Sequence, residues 1–179
     1  GAISPDVRLD DVGFPREEYC HCERCESRYR EGSYEDFGAF RAETITDFVV
    51  EATDRIPGRT YLTLYPDPYP DHLYDRSGVD LDTIEQYVDE FVIPLYDRHY
   101  GTTYWLETIA KGFKDLLSTP FSIELYAATA DLEDLVEAAT VAETYAEDVY
   151  FGYNATNARA AIRRLRAAEN QGDTYGEPD

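Results

Sequence analysis

The stretch Phe121–Tyr153, FSIELYAATADLEDLVEAATVAETYAEDVYFGY, decides the fold. Its opening run, Phe121 to Tyr126, is a short apolar and aromatic segment that reads as a strand. From Asp131 to Ala146 the period changes: Leu132, Leu135, Val136, Ala139 and Ala142 recur at helical spacing. A second β-rich run, Asp148 to Tyr153, follows. Strand, helix and strand in so few residues form a βαβ unit, whose two strands are joined by a crossover and therefore run parallel.

Working outward, the same alternation fills the chain. On the C-terminal side a helix from about Ala155 to Ala168 carries Ala158, Ala161, Ile162 and Leu165 on one face, and a polar tail follows from Asn170. On the N-terminal side a helix from about Thr103 to Leu117 follows a strand at about Phe91 to Tyr96 that contains Pro94, a residue that removes a ladder donor. Before these come a strand at Thr60 to Tyr65, a loop with Pro66, Pro68 and Pro70, and a short helix near Asp80. The first unit is a strand at about Val7 to Val12, a Cys-rich loop, and a helix from about Tyr34 to Arg55 with a capping-box-like start at Ser33 and Asp36. Its apolar positions are Phe37, Phe40, Ile45, Phe48, Val49, Ala52 and Ile56, and Pro57-Gly58 stops it. Five successive βα units fit an open doubly wound sheet or part of a (β/α)8 barrel.

Composition limits the class. The chain has 179 residues, 16 Lys+Arg against 37 Asp+Glu, and a formal charge of −21; 43% of it is hydrophobic, with 16 Tyr, 8 Phe and 1 Trp to fill a core. That makes it globular rather than a disordered acidic tail. Lys is nearly absent, 2 against 14 Arg, and the acids are spread along the chain, a bias expected of a halophilic protein whose self-repulsion is screened by salt. A surface of this sign repels nucleic acid and anionic lipid, and the short run Arg159, Arg163, Arg164, Arg166 is explained by one helix end. No apolar run approaches the roughly 20 residues of a membrane span and no leader is visible, so a cytoplasmic location is expected.

In both candidate folds the chemistry sits at the carboxyl ends of the strands. Those ends carry Asp10 and Asp11; Tyr65 and Asp67; Tyr96 and Asp97; Glu124 and Tyr126; Tyr153 and Asn154. Adjacent residues on a strand face opposite ways, so one of Asp10 and Asp11 is expected to point into a site. Glu124 within an apolar strand must be solvated in a cleft, paired or protonated. No GxGxxG or GxxxxGK[ST] loop follows any strand, which leaves phosphate cradling without support. All three cysteines lie in Cys20-His21-Cys22-Glu23-Arg24-Cys25, a C-x-C-x-x-C pattern. Three close thiols in odd number suit a structural Zn²⁺ better than a disulfide framework, with the fourth ligand among His21, His72, His99 or a residue outside the chain.

Two of these runs carry a resemblance. Leu9-Asp10-Asp11-Val12-Gly13-Phe14-Pro15 resembles the fourth-strand end of (β/α)8 glycoside hydrolases, and Val92-Ile93-Pro94-Leu95-Tyr96-Asp97 is similar to their sixth-strand segment. The spacing of Cys20, Cys22 and Cys25 resembles the structural zinc cluster of family-42 β-galactosidases, which follows strand four and takes its fourth Cys from earlier in the chain.

The resemblance implies that residues 1–169 span strand four to helix eight of such a barrel. Asp10 or Asp11 would then hold the acid/base place and Glu124 the nucleophile place, although Asp-Asp stands where that clan has Asn-Glu. A second arrangement uses Asp10 with Asp97. Tyr65, Asp67, Tyr96, Tyr126, Tyr153 and Trp105 would bind the sugar. Rival readings are a non-catalytic carbohydrate-binding or scaffold barrel and a self-contained zinc-bearing α/β domain. A closed barrel typically takes about 250 residues, so 179 residues without a Met are expected to be a piece lacking about three units. Such a piece is expected to associate with the missing half of its barrel or with itself.

Overall fold

The computed structural model of the chain describes residues 5–172. It is a mixed α/β structure with five strands, in sheet order β1-β2-β3-β4-β5, and every assigned pairing is parallel. The order has no reversal, whereas a doubly wound sheet reverses at its switch point. Consecutive βα units of a barrel wall follow one another in this way. The chain divides into two compact units, Gly1–Val92 with Asp115–Pro120, and Ile93–Lys114 with Phe121–Asp179.

The first unit opens with β1 (Val7–Leu9), which pairs Val7 with Thr60 and Leu9 with Leu62. This strand is shorter than the expected Val7 to Val12 and largely exposed. Asp11 takes a left-handed φ of 51° and Gly13 a φ of 149°, and neither continues a strand. At Gly13 a Cβ would stand 2.9 Å from Ser77 Cβ, so this turn needs the glycine twice, for its dihedral and for its space. The Cys-rich segment is not all loop: α1 (Glu23–Glu31) begins directly after Cys22. None of its residues is buried, so it has no apolar stripe to betray it in sequence. Acids in its first turn and arginines in its last favour it through the helix dipole.

The second helix, α2 (Phe37–Thr53), starts three residues later than expected because Asp36 is itself the N-cap, its carboxylate accepting the Ala39 N–H at 2.8 Å. Phe40, Ile45 and Val49 are buried as the periodicity requires, but Phe48 is 51% exposed, and the buried face includes Arg41. β2 (Thr60–Thr63) follows, then α3 (His72–Ser77), a six-residue helix inside what reads as a Pro-rich loop, and α4 (Leu81–Ile84). β3 (Glu90–Pro94) pairs Leu62 with Phe91 and ends on Pro94, so the missing donor falls where the strand stops.

In the second unit α5 (Tyr104–Leu116) buries Leu106, Ala110 and Phe113, with Phe113 against Phe121 at 6.3 Å between centroids. β4 (Phe121–Tyr126) matches the quoted run residue for residue and pairs with β5 (Val149–Gly152), Ile123 opposite Val149 and Tyr126 opposite Gly152. Between them α6 (Leu132–Glu143) buries Leu135, Ala138, Ala139 and Ala142 behind an Asp131 N-cap. α7 (Ala155–Gly172) runs past the expected helix end near Ala168; the remainder of the polar tail lies outside the described residues. Among the described residues no helix is long and apolar enough to cross a membrane.

Candidate functional site

Three strand ends of the second unit converge. Leu95 N–H donates to Glu124 O at 3.0 Å and Ala127 N–H to Gly152 O at 3.1 Å, so Tyr96, Tyr126 and Tyr153 leave the strands side by side. Their ring centroids lie 6.0 Å (Tyr96 to Tyr126), 5.6 Å (Tyr96 to Tyr153) and 5.2 Å (Tyr126 to Tyr153) apart. The Tyr96 hydroxyl hydrogen bonds with Tyr153 and with Glu124, and burial together with these bonds holds its pKa well above the usual tyrosine value. A carboxylate oxygen only accepts, so Tyr96 donates to Glu124.

The register that brings Glu124 here also places it against a small neighbour. A Cβ at Gly152 would stand 3.0 Å from Glu124 Oε1, close enough that the carboxylate would have to shift by a few tenths of an ångström. The glycine in the strand thus makes room for a carboxylate. A second device holds the tyrosines. Tyr100, 1% exposed and at a left-handed φ of 51°, donates its hydroxyl to Leu95 O at 2.8 Å and accepts the Tyr126 N–H at 2.7 Å. One phenol therefore ties the residue before Tyr96 to the backbone of Tyr126. The result is an aromatic cluster, with Tyr153 71% exposed, and a carboxylate at its inner edge. Such a surface can stack on an apolar ring face while hydrogen bonding its hydroxyls.

The other expected site residues fare differently. Trp105 lies in the first turn of α5 and, among the described residues, makes no ring contact with the three tyrosines. Asp97 Oδ1 accepts the His99 N–H at 3.0 Å, closing its own turn. Asp10 and Asp11 lie past the end of β1 and both are exposed, so the alternation argument that assigned one of them inward does not apply. Tyr65 lies under the Arg76 guanidinium, 4.0 Å from its ring centroid. Asp67 pairs with His72, whose Nδ1 is 3.1 and 3.2 Å from its two oxygens.

The cysteines do converge: the Sγ atoms of Cys20, Cys22 and Cys25 all lie within 4.8 Å of one another and could hold a metal ion such as zinc. Cys22 is the N-cap residue of α1, and the Cys25 backbone N–H, followed by the neighbouring thiols, lowers its pKa to about 7. Burial, followed by the same neighbours, raises the Cys25 thiol to about 12. The donor set fits the group, three soft thiols in tetrahedral reach; bound zinc would take all three as thiolates and cross-link the loop to the first turn of α1. None of the three histidines joins them. His21 stacks on Phe37 at 4.4 Å and bonds through Nδ1 to Glu26, while His72 is engaged by Asp67.

Sequence reasoning passed over three contributors. Tyr100 and Gly152 carried faint signals, an aromatic beyond a strand end and a glycine inside one. Arg41 carried none, since a cation on a helix's buried face is legible only from what surrounds it. No family model matches the chain and no curated protein matches it.

Proposed function

We propose that the chain is the part of a (β/α)8 glycoside-hydrolase-like protein from strand four to helix eight, and that it engages a carbohydrate at the tyrosine cluster. The observation that carries this reading is the Glu124 carboxylate hydrogen bonded to Tyr96 beside three mutually contacting tyrosines. A pyranose ring offers C–H groups on its faces and hydroxyls around its edge, which matches aromatic faces bordered by phenols and a carboxylate. Glycosidic cleavage takes two carboxyl groups, about 5 Å apart for retention and about 6.5 to 9.5 Å for inversion. Glu124 is one; its complement is sought among Asp10, Asp11 and Asp97.

The test is turnover of aryl glycosides by the protein and by Glu124→Gln, Asp10→Asn, Asp11→Asn and Asp97→Asn. Loss of about a hundredfold or more in Glu124→Gln and in one Asp variant is expected. If all four variants keep wild-type turnover, the catalytic assignment is wrong. A second reading, sugar binding without hydrolysis, is favoured by the exposure of Asp10 and Asp11, because a general acid is ordinarily kept protonated by burial. It expects no turnover but sugar binding that Tyr96→Ala and Tyr153→Ala abolish.

Two further assignments belong to the same reading. The Cys cluster is read as a structural zinc site. The strands that end the sheet order, β1 and β5, are read as joined by further βα units or by a second copy of the chain. A cooperative monomeric melt of this chain in molar salt would argue against both of these partners. The charge of −21 supports a salt-rich working solvent, in which the melting temperature is expected to rise with added salt.

A further inference from the structure

A pocket of about 490 Å³ in the first unit plays no part in that reading. It is lined by the segment after β1, by Asp67 beyond β2, and by His72, Asp75 and Arg76 of α3. Its cations are Arg16 and Arg76. Among the described residues neither guanidinium makes an ion pair, although acids outnumber bases 37 to 16 in the chain and Glu17, Glu18 and Asp75 line the same pocket. Both guanidiniums are therefore available to a ligand.

Both arginines are held from beneath by a third. Arg41, 2% exposed on α2, donates through Nη2 to Arg16 O at 2.9 Å and to Arg76 O at 2.7 Å, and through Nη1 to Asp75 O at 2.9 Å. Its guanidinium also lies 5.1 Å from the Phe14 ring centroid. One buried side chain thus fixes the main chain of the two arginines that line the pocket. The Tyr65 ring lies 4.0 Å from the Arg76 guanidinium and gives it a packing partner. A planar, pre-oriented guanidinium suits two parallel hydrogen bonds to an oxyanion. His72 adds a polar group of settled orientation, since Asp67 engages Nδ1 and leaves Nε2 for a ligand. The carboxylates of Glu17, Glu18 and Asp75 are acceptors, which want hydroxyl donors.

We propose that this pocket binds an acidic sugar, its oxyanion between Arg16 and Arg76 and its hydroxyls on the surrounding carboxylates and His72. The proposal goes beyond the carbohydrate reading of the tyrosine cluster and gives this pocket a ligand class of its own. The oxyanion is a uronate carboxylate or a sugar phosphate; the two share the chemistry that guanidiniums recognise.

Titration calorimetry of the chain with glucuronate, glucose 6-phosphate, glucose and inorganic phosphate tests it. At least one acidic sugar is expected to bind about tenfold more tightly than glucose. Whichever does so identifies carboxylate or phosphate as the source. Arg16→Ala and Arg76→Ala, both at exposed positions, are expected to reduce that affinity to the level of glucose while circular dichroism stays unchanged. Wild-type affinity in both variants, or equal binding of glucose and the acidic sugars, would overturn the proposal. Inorganic phosphate binding as tightly as glucose 6-phosphate would overturn it as a sugar site. If glucose binds and Tyr96→Ala abolishes that binding while acidic sugars gain nothing, the inference fails and the carbohydrate reading stands. If no sugar titrates at all, both fail.

Discussion

The tyrosine cluster of the second unit and the arginine pocket of the first are two solutions to holding polar side chains in place. The cluster grows from strand ends. Its three tyrosines and Glu124 take their positions from the parallel ladder, and one neutral phenol, Tyr100, adds two hydrogen bonds to the backbone of those ends. The pocket grows from turns and a six-residue helix, which have no ladder to position them. There a buried cation does the work, with three carbonyls gathered around one guanidinium. Burial lowers the pKa of that guanidinium, yet the group remains charged, because an arginine does not lose its proton under ordinary conditions. Side chains placed on regular structure need only a local lock, whereas those placed on irregular backbone need a dedicated interior group.

The sharpest way to break this contrast is Arg41→Ala. Three carbonyls would lose a charged donor in the interior, and a loss of about 3 kcal/mol is expected from urea unfolding. Tyr100→Phe should cost less, about 2 kcal/mol, because a carbonyl and one N–H lose a neutral partner. If Tyr100→Phe proved the more damaging of the two, the irregular segments would not depend on their interior cation in the way described. Tyr100→Phe has a second readout. It acts through the positions of Tyr96 and Tyr126, so sugar binding should weaken while the folded protein keeps its circular dichroism. Gly152→Ala comes next at about 1 kcal/mol, the cost of crowding Glu124 Oε1. Its effect on sugar affinity should exceed its effect on melting, since the carboxylate is what must move.

The smallest stability effect is expected at the thiols. Cys22 is exposed, so Cys22→Ser should leave the metal-free protein within about 0.5 kcal/mol of wild type. The same change should abolish stoichiometric zinc uptake, measured by metal analysis after dialysis. The pH dependence follows from the Cys22 thiol, lowered to about 7. Above that value the thiolate is present and zinc displaces fewer protons; as pH falls below it, protons compete for the sulfur. Zinc affinity measured by competition with a chelator should therefore weaken as pH drops from about 8 to about 6. An affinity independent of pH over that range would argue that the thiols are not the ligands.

Several of these features could be read in the chain and others could not. β4 was legible because six residues of strand pattern are bounded by a capped helix on one side and a proline on the other. The helices with buried apolar stripes, α2, α5 and α6, were legible to within a few residues for the same reason. α1 was not, because it buries nothing and is held by its charges and by Tyr29 against Phe37 and Phe40. α3 was not, because six residues with one buried leucine show no period. β1 was read three residues too long, through Asp10 and Asp11, because a strand pattern does not announce that the chain turns left-handed at Asp11.

The sequence alone therefore sets the order of the five strands and of the helices with buried apolar stripes. Hydrophobic period is a local property, and a parallel ladder converts it into position. Which polar groups meet depends on how the elements pack. A phenol between two strand ends, a glycine opposite a carboxylate and an arginine under two others depend on distances between segments far apart in the chain, whereas the three thiols fall within six residues and were legible as one cluster. Hydrogen bonds and charges act over a few ångströms, and no pattern along the chain specifies those distances until the core has packed.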